Sequence, residues 1–191
     1  LLADEALAEY RHYLETEHLR KDHVLSEAEE KVLSEKSITG KSAWTRFFDE
    51  TLGATRYELD GEALTQEEIL SKLYAPDRAL RKKAALSFTE GLKDNRRTLT
   101  YVFNTLLADK ASTDRLRSYD HWLESRNLAN EVDDETVSTL IDAVTGRYDL
   151  VARFYRLKKR LLGVDELYDY DRYAPVHESD TTYSWDEARS V

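Results

Sequence analysis

The sequence predicts an all-α protein, a multi-helix bundle with at most one small β-ribbon near residues 56–64. Its 191 residues include only two prolines and six glycines, while 35% of them are charged, and this composition favours helices. Apolar residues recur at i, i+3, i+4 and i+7 along much of the chain, which is the period of a helix with one buried face. We therefore expect helices to hold more than half of the residues.

The first part of the chain, residues 1–75, predicts several short helices and the ribbon. Two pairs have the spacing of a capping box that opens a helix, Ser26 with Glu29 and Thr65 with Glu68. Asp60-Gly61 predicts a tight turn between two short strands. A two-stranded ribbon is marginal alone, so it must pack on the helices.

Two further helical patterns follow from residue 76. Pro76 is expected at the first position of a helix that turns Leu80, Ala84 and Phe88 inward. Four cations on this helix are expected largely outward, namely Arg78, Arg81, Lys82 and Lys83. The helical pattern resumes at Leu99–Leu107 after a bend at 91–95, and a loop is predicted near 111–117.

The longest helix is predicted at 134–162. Asp133 suits its N-cap, and Gly163 suits the first position beyond its end. If unbroken, it would be ~43 Å long at ~1.5 Å per residue. In its segment 153–160, the aromatic residues are expected inside and the cations in solvent. The apolar residues that define its buried stripe are Val137, Leu140, Ile141, Val144, Tyr148, Val151, Phe154, Tyr155, Leu157, Leu161 and Leu162.

Composition argues against several classes of partner. The net charge of −10 argues against nucleic acid. No run approaches the ~18 apolar residues of a membrane span, and no basic segment precedes an apolar signal-like segment. The absence of cysteine excludes disulfides and thiolate chemistry and fits a cytoplasmic location.

The segment RFYRLKKRLLGVDELYDYDRYAPV, residues 153–176, resembles the stretch that leads into the catalytic part of oligoendopeptidase F, a zinc metallopeptidase of the thimet oligopeptidase group. The similarity lies in Leu-Lys-Lys, Leu-Gly and a Tyr-Asp-x-Tyr-Ala-Pro run. It continues upstream through the segments 23–44, 73–85 and 123–132. The resemblance implies an N-terminal-type helical domain in 1–75 and the helical beginning of a peptidase domain in 76–191, truncated before the zinc site.

The zinc-binding motif of such a peptidase is absent from the sequence. H-E-x-x-H on a helix places two imidazoles on one face with a glutamate beside the bound water. His177-Glu178 begins like this motif, but Thr181 stands where the second histidine is needed. Glu15 and His18 form one Glu-x-x-His pair, whereas a di-iron bundle uses two such pairs and two more glutamates. We therefore predict no catalytic residue and no metal ligand in this chain, and zinc only in the full-length parent.

Tyr168, Tyr170 and Tyr173 are the candidate substrate-channel residues. They are spaced by two and three positions in a segment that ends at Pro175, so they cannot all face one core. Two interpretations stay open: these tyrosines pack within the protein, or they line a peptide-binding cleft, as the family position would allow. His23 is expected to pack or to hydrogen-bond locally, with substrate contact as the alternative, and His121 is expected to pack or to lie at the surface.

Two hypotheses about function follow. In the first, the chain is part of a zinc metalloendopeptidase that hydrolyses short peptides, and it forms a helical wall of the substrate channel without the catalytic centre. In the second, it is a stand-alone helical protein-interaction module. Ser184 and Glu187 predict a capping box for a helix that has barely begun at Val191, which favours an excised piece.

An excised piece should also expose an apolar edge. We expect this edge to comprise Leu157, Leu161 and Leu162 with the segment 168–173. Exposed apolar patches commonly mark an interface, so self-association of the isolated chain is a further expectation.

Overall fold

The computed structural model describes residues 4–177 and 183–190. In this part of the chain, helices dominate and one antiparallel pair of strands occurs, so the all-α prediction is confirmed. The α-helices are α1 (Arg11–Arg20), α2 (Glu27–Ser37), α3 (Lys41–Ala54), α4 (Gln66–Ser71), α5 (Arg78–Asp94), α6 (Arg96–Leu116), α7 (Glu124–Ala129), α8 (Asp134–Thr145), α9 (Tyr148–Leu161) and α10 (Trp185–Arg189). Short 3-10 helices lie at Glu5–Tyr10, Lys21–His23, Lys72–Tyr74 and Asp169–Asp171.

The predicted ribbon lies where expected. Strands β1 (Tyr57–Leu59) and β2 (Glu62–Leu64) pair antiparallel, with Tyr57 opposite Leu64. Asp60 and Gly61 form the turn with φ of 51° and 91°, the left-handed values that a two-residue hairpin loop requires.

The local signals at helix ends are also confirmed. All three predicted capping boxes form, at Ser26, Thr65 and Ser184, with both reciprocal hydrogen bonds present in each. Beyond α9, Gly163 adopts a φ of 63°, and the next amide, that of Val164, donates to the Lys159 carbonyl. Two local predictions are wrong. α5 begins at Arg78, so Pro76 precedes the helix and does not occupy its first position. α6 continues through the proposed loop at 111–117 as far as Leu116.

The chain divides into two compact units that are each assembled from two separate stretches. The first comprises the residues up to Ala54 together with Asn95–Tyr148, and the second comprises Thr55–Asp94 together with the residues from Asp149 onward. The chain passes from one unit to the other at three places, all near helix ends: after α3, between α5 and α6, and near the start of α9.

In the first unit, α3 packs on α6, with the rings of Trp44 and Tyr101 5.4 Å apart. Arg117 follows α6 and donates two hydrogen bonds to Glu30 of α2, at 2.7 and 2.8 Å. His23 donates to the Arg117 carbonyl through Nδ1 at 2.9 Å, and its ring stacks on Tyr119. His23 thus packs and hydrogen-bonds locally, in agreement with the first of the two expectations for it.

In the second unit, the ribbon packs on α4 and α5. Its buried core consists of Tyr57, Leu59, Ile69 and Ala84. Leu80 and Phe88 of α5 pack against this core from the predicted inward face. Gly91 lies close to the Tyr57 ring, because a Cβ there would stand only 2.5 Å from Tyr57 Cε1.

The predicted helix 134–162 is two helices, α8 and α9, and the prediction of one continuous helix is wrong. The Thr145 hydroxyl donates to the Ile141 and Asp142 carbonyls, a bond that competes with the backbone ladder and often bends helices. Gly146 follows, and glycine costs ~1 kcal/mol in a helix interior relative to alanine. The Arg147 amide then donates to Val144, an i→i−3 bond that ends α8.

The apolar stripe of these two helices is also largely exposed, contrary to the prediction that it is buried. Leu140, Val144, Phe154 and Leu161 are each more than half exposed. Val137, Tyr155 and Leu162 are half-buried. Within the residues described, no helix is long and apolar enough to cross a membrane.

The close approach of Gly91 to Tyr57 predicts that Gly91→Ala destabilises the protein. Tyr57 is 1% exposed, so its ring cannot move away without disturbing the core, and such overpacking typically costs ~1–3 kcal/mol. Urea unfolding of the purified chain measures the change.

Gly53→Ala in α3 is the matched control. A Cβ at Gly53 would meet nothing within 4 Å, so the same substitution should be neutral or stabilising by up to ~1 kcal/mol. Equal effects of the two substitutions would contradict the role assigned to Gly91.

Candidate functional site

Asp171 is the centre of a buried network in the second unit. Its side chain is fully buried in the 3-10 helix Asp169–Asp171. Arg78 donates to it through Nε at 3.1 Å and Nη2 at 2.8 Å, and Arg81 donates through Nη2 at 2.9 Å. The Tyr168 amide donates to the same carboxylate at 3.1 Å. One carboxylate thus holds the segment after α9 against the first turns of α5.

The two arginines use their other donors on backbone carbonyls. Arg81 is 3% exposed and donates to the carbonyls of Tyr170, Ala75 and Pro76, while Arg78 donates to the Glu166 carbonyl at 2.7 Å. The prediction that the α5 cations point outward is therefore wrong for these two. Helical spacing alone does not reveal a buried carboxylate partner about 90 positions away.

Lys158 is likewise buried, contrary to the prediction that the cations of α9 are solvated. Its Nζ donates to the Arg172 carbonyl at 2.7 Å. Burial, with Arg81 nearby, lowers the pKa of Lys158, whereas Asp171 acts in the opposite direction. Lys158 therefore joins α9 to the same segment that Asp171 joins to α5.

The electrostatic balance of the network favours an ionised Asp171. Burial by itself would raise the pKa of a carboxyl group, but the hydrogen bonds from Arg78 and Arg81 lower the pKa of Asp171 to about 2. A charge-assisted network of this kind is stable only while all its members are present, because removing one leaves buried charges uncompensated.

The three candidate tyrosines fall into two groups around this network. The rings of Tyr168 and Tyr170 stack with centroids 5.3 Å apart, and the Arg78 guanidinium carbon lies 5.8 and 5.6 Å from their centroids. Tyr173 instead stacks on Tyr74 at 4.7 Å. The expectation that the three cannot face one core agrees with this arrangement.

The sequence did not single out Tyr74 or Asp171, and it assigned Arg78, Arg81 and Lys158 to solvent. The signal that was available is the Asp171 position inside the Tyr-Asp-x-Tyr-Ala-Pro run, where an acid stands between the tyrosines. Nothing in the local pattern, however, connects that acid to α5. The role of the tyrosines as channel residues stays a prediction.

The residues present do not fit a catalytic zinc ion. No two histidines have the required spacing, and the described residues contain no group of three His, Cys, Asp or Glu side chains placed to hold a metal. The His177-Glu178 start of the motif reaches positions outside the described residues. Three histidines instead face single carboxylates: His12 faces Glu131, His121 faces Asp134, and His23 faces Glu124.

The buried network predicts that Asp171→Asn lowers the free energy of unfolding by about 3–5 kcal/mol, because two guanidinium groups lose the charge that compensates them. A carboxyl whose pKa is lowered on folding stabilises the protein above its unfolded pKa of about 3.9. This contribution is lost as the pH falls toward the folded pKa of about 2. Urea unfolding at neutral pH and at about pH 3 measures both effects.

The control is Asp165→Asn, which removes the same charge from an exposed carboxylate. It should change the free energy of unfolding by less than about 0.5 kcal/mol. If the two variants are equally stable at neutral pH, Asp171 does not hold the network together.

Comparisons with known proteins agree over nearly the whole chain. Residues 1–57 match the family model described as Oligopeptidase F, and residues 71–189 match the model of Peptidase family M3. Group B oligopeptidase PepB of Streptococcus agalactiae serotype III (strain NEM316) is 28% identical over 191 residues, which cover 95% of this chain and 31% of PepB. Oligopeptidase PepF of Bacillus subtilis (strain 168) is 26% identical over 196 residues, which cover 99% of this chain and 29% of PepF.

The fold is shared with a solved structure. Oligoendopeptidase-F from Enterococcus faecium superposes with a TM-score of 0.80 at 24% identity, over 93% of this chain and 36% of that protein. The chain thus spans about a third of the length of the curated relatives it matches. Because the second family model alone covers more than half of the residues, the chain belongs to peptidase family M3.

Proposed function

We propose that this chain is part of a zinc-dependent metalloendopeptidase that hydrolyses short peptides. The observation that supports this most directly is the match of residues 71–189 to the peptidase family model. The curated relatives carry the names oligopeptidase and oligoendopeptidase. Zinc would activate a water molecule for attack on the peptide bond, and its ligands would lie in sequence beyond this chain.

Within that peptidase, this chain would form a helical wall of the substrate channel. A wall needs rigid elements that carry partly exposed apolar or aromatic side chains, and the Asp171 network supplies that rigidity in the second unit. Tyr168 and Tyr173 are partly exposed on the segment that this network holds. We propose Tyr168, Tyr170 and Tyr173 as the residues that contact peptide.

We also propose the division into an N-terminal-type domain at 1–75 and the start of the peptidase domain at 76–191. The match to the first family model ends at residue 57, and the match to the second begins at residue 71, close to this boundary. The compact units follow a different division, because each takes residues from both sides of this boundary. The boundary between the two family-model matches therefore does not coincide with the boundaries between the packed units.

The isolated chain should bind no stoichiometric zinc and should cleave no peptide. Its sequence lacks H-E-x-x-H, and the residues that the structure describes provide no three-ligand site. Metal analysis of the purified chain after dialysis against zinc, and a quenched-fluorescent peptide assay, measure both properties. The parent protein, in contrast, should cleave the same peptide and lose that activity with a chelator. Chelator-sensitive cleavage by the isolated chain would refute the assignment of the zinc ligands to other sequence.

The tyrosines should contact peptide directly. We expect a capped heptapeptide of glycines with one central phenylalanine to shift the ring resonances of Tyr168, Tyr170 and Tyr173 in NMR spectra of the chain. A capped peptide carries no terminal charge, so the shifts would report apolar and aromatic contact.

Two controls accompany this titration. The all-glycine heptapeptide lacks the side chain and should cause much smaller shifts. Tyr13 of α1 is similarly exposed and should remain unshifted by either peptide. Shifts at Tyr13 equal to those at the three candidates would indicate nonspecific adsorption and would contradict the proposed channel contact.

A further inference from the structure

Arg78 contacts the Tyr168–Tyr170 pair in two ways. Its guanidinium lies within 6 Å of both ring centroids, the range of cation–π attraction. It also holds the backbone that carries the rings, through the Glu166 carbonyl directly and through Asp171, which accepts from the Tyr168 amide. Ring position and backbone position therefore depend on the same side chain.

Arg81 does not have this combination. Its side chain is buried, and its donors are taken by Asp171 and three backbone carbonyls. Arg78 is 39% exposed and lies beside the rings. Of the two arginines that bind Asp171, Arg78 is thus the one that connects the buried network to the exposed aromatic surface.

We propose that Arg78 is the positioning residue of the Tyr168–Tyr170 pair, which it presents as a preformed surface for an apolar or aromatic side chain of a peptide. This inference rests on the proposed function, because that function makes the tyrosines a peptide-contact surface.

The chemistry of the surface indicates this class of side chain. The Arg78 guanidinium is already paired with Asp171 and bound to the Glu166 carbonyl, and the Tyr168 hydroxyl already donates to Glu166 Oε2 at 2.7 Å. The exposed part of the Tyr168 ring is therefore the feature left to a ligand, and aromatic rings favour offset-stacked or edge contacts with apolar groups. Rings that are held in place before binding lose less conformational freedom on binding, which raises affinity.

Arg78→Lys tests the proposal, because lysine keeps the charge but lacks the planar fork that binds Asp171 and the Glu166 carbonyl together. We expect the variant to bind the phenylalanine heptapeptide at least about fivefold more weakly than the wild-type chain. Its Tyr168 and Tyr170 ring resonances should also move toward positions typical of mobile tyrosines. Arg160→Lys makes the same change at an exposed guanidinium of α9 and should leave both properties unchanged.

A second measurement does not require the variant to fold. In the wild-type chain, nuclear Overhauser effects between Arg78 and both rings should be present in the free state and should persist in the peptide complex. If the rings leave Arg78 when the peptide binds, the proposal is wrong.

The outcomes distinguish a failure of the proposed peptide contact from a failure of the positioning role of Arg78. If the wild-type rings do not respond to the phenylalanine peptide, the proposed peptide contact fails. If they respond and Arg78→Lys binds as tightly as the wild-type chain, the peptide contact stands and the positioning role of Arg78 is overturned.

Discussion

The compensation of one buried carboxylate by two guanidinium groups is the constraint on which the second unit depends. Asp171 lies in a short 3-10 helix that has little stability of its own, because a single turn forms few hydrogen bonds. Arg78 and Arg81 supply what this turn lacks. Their remaining donors bind one carbonyl before the turn, one within it and two before α5. Lys158 binds the same segment from α9. The turn is thus joined to α9, its neighbour in sequence, and to α5, which is about 90 positions away, through charges and backbone carbonyls.

This mode of joining has a consequence for function. A segment held by hydrogen-bonded charges can leave its aromatic side chains partly exposed, because those side chains are not needed to hold it. Tyr168 stacks on Tyr170, and Tyr173 stacks on Tyr74, yet Tyr168 and Tyr173 remain partly open to solvent. Aromatic rings held in this way would suit the proposed contact with peptides, since they would offer contact area at a low cost in conformational entropy.

In α8 and in α9, by contrast, it is the aliphatic side chains that remain exposed. Both helices are well formed, with Asp133 capping the first and Gly163 ending the second. Much of their apolar stripe nevertheless remains exposed, including Leu140, Val144 and Leu161. Curated relatives are about three times as long as this chain. The exposed stripe is therefore consistent with the proposal that the chain acts as part of a larger peptidase.

The sequence by itself determined the helical class, the ribbon with its Asp60-Gly61 turn, the three capping boxes and the family resemblance. These features depend on residues a few positions apart, whose geometry the local backbone dictates. Only the tertiary structure decided that Arg81 and Lys158 are buried, that Arg78 contacts two tyrosine rings, and that helix 134–162 breaks at Gly146. Periodicity places a cation on the polar side of a helix, but a carboxylate about 90 residues away can make burial of that cation favourable. Likewise, an apolar stripe predicts which face seeks a partner, while the rest of the fold decides whether this chain supplies one.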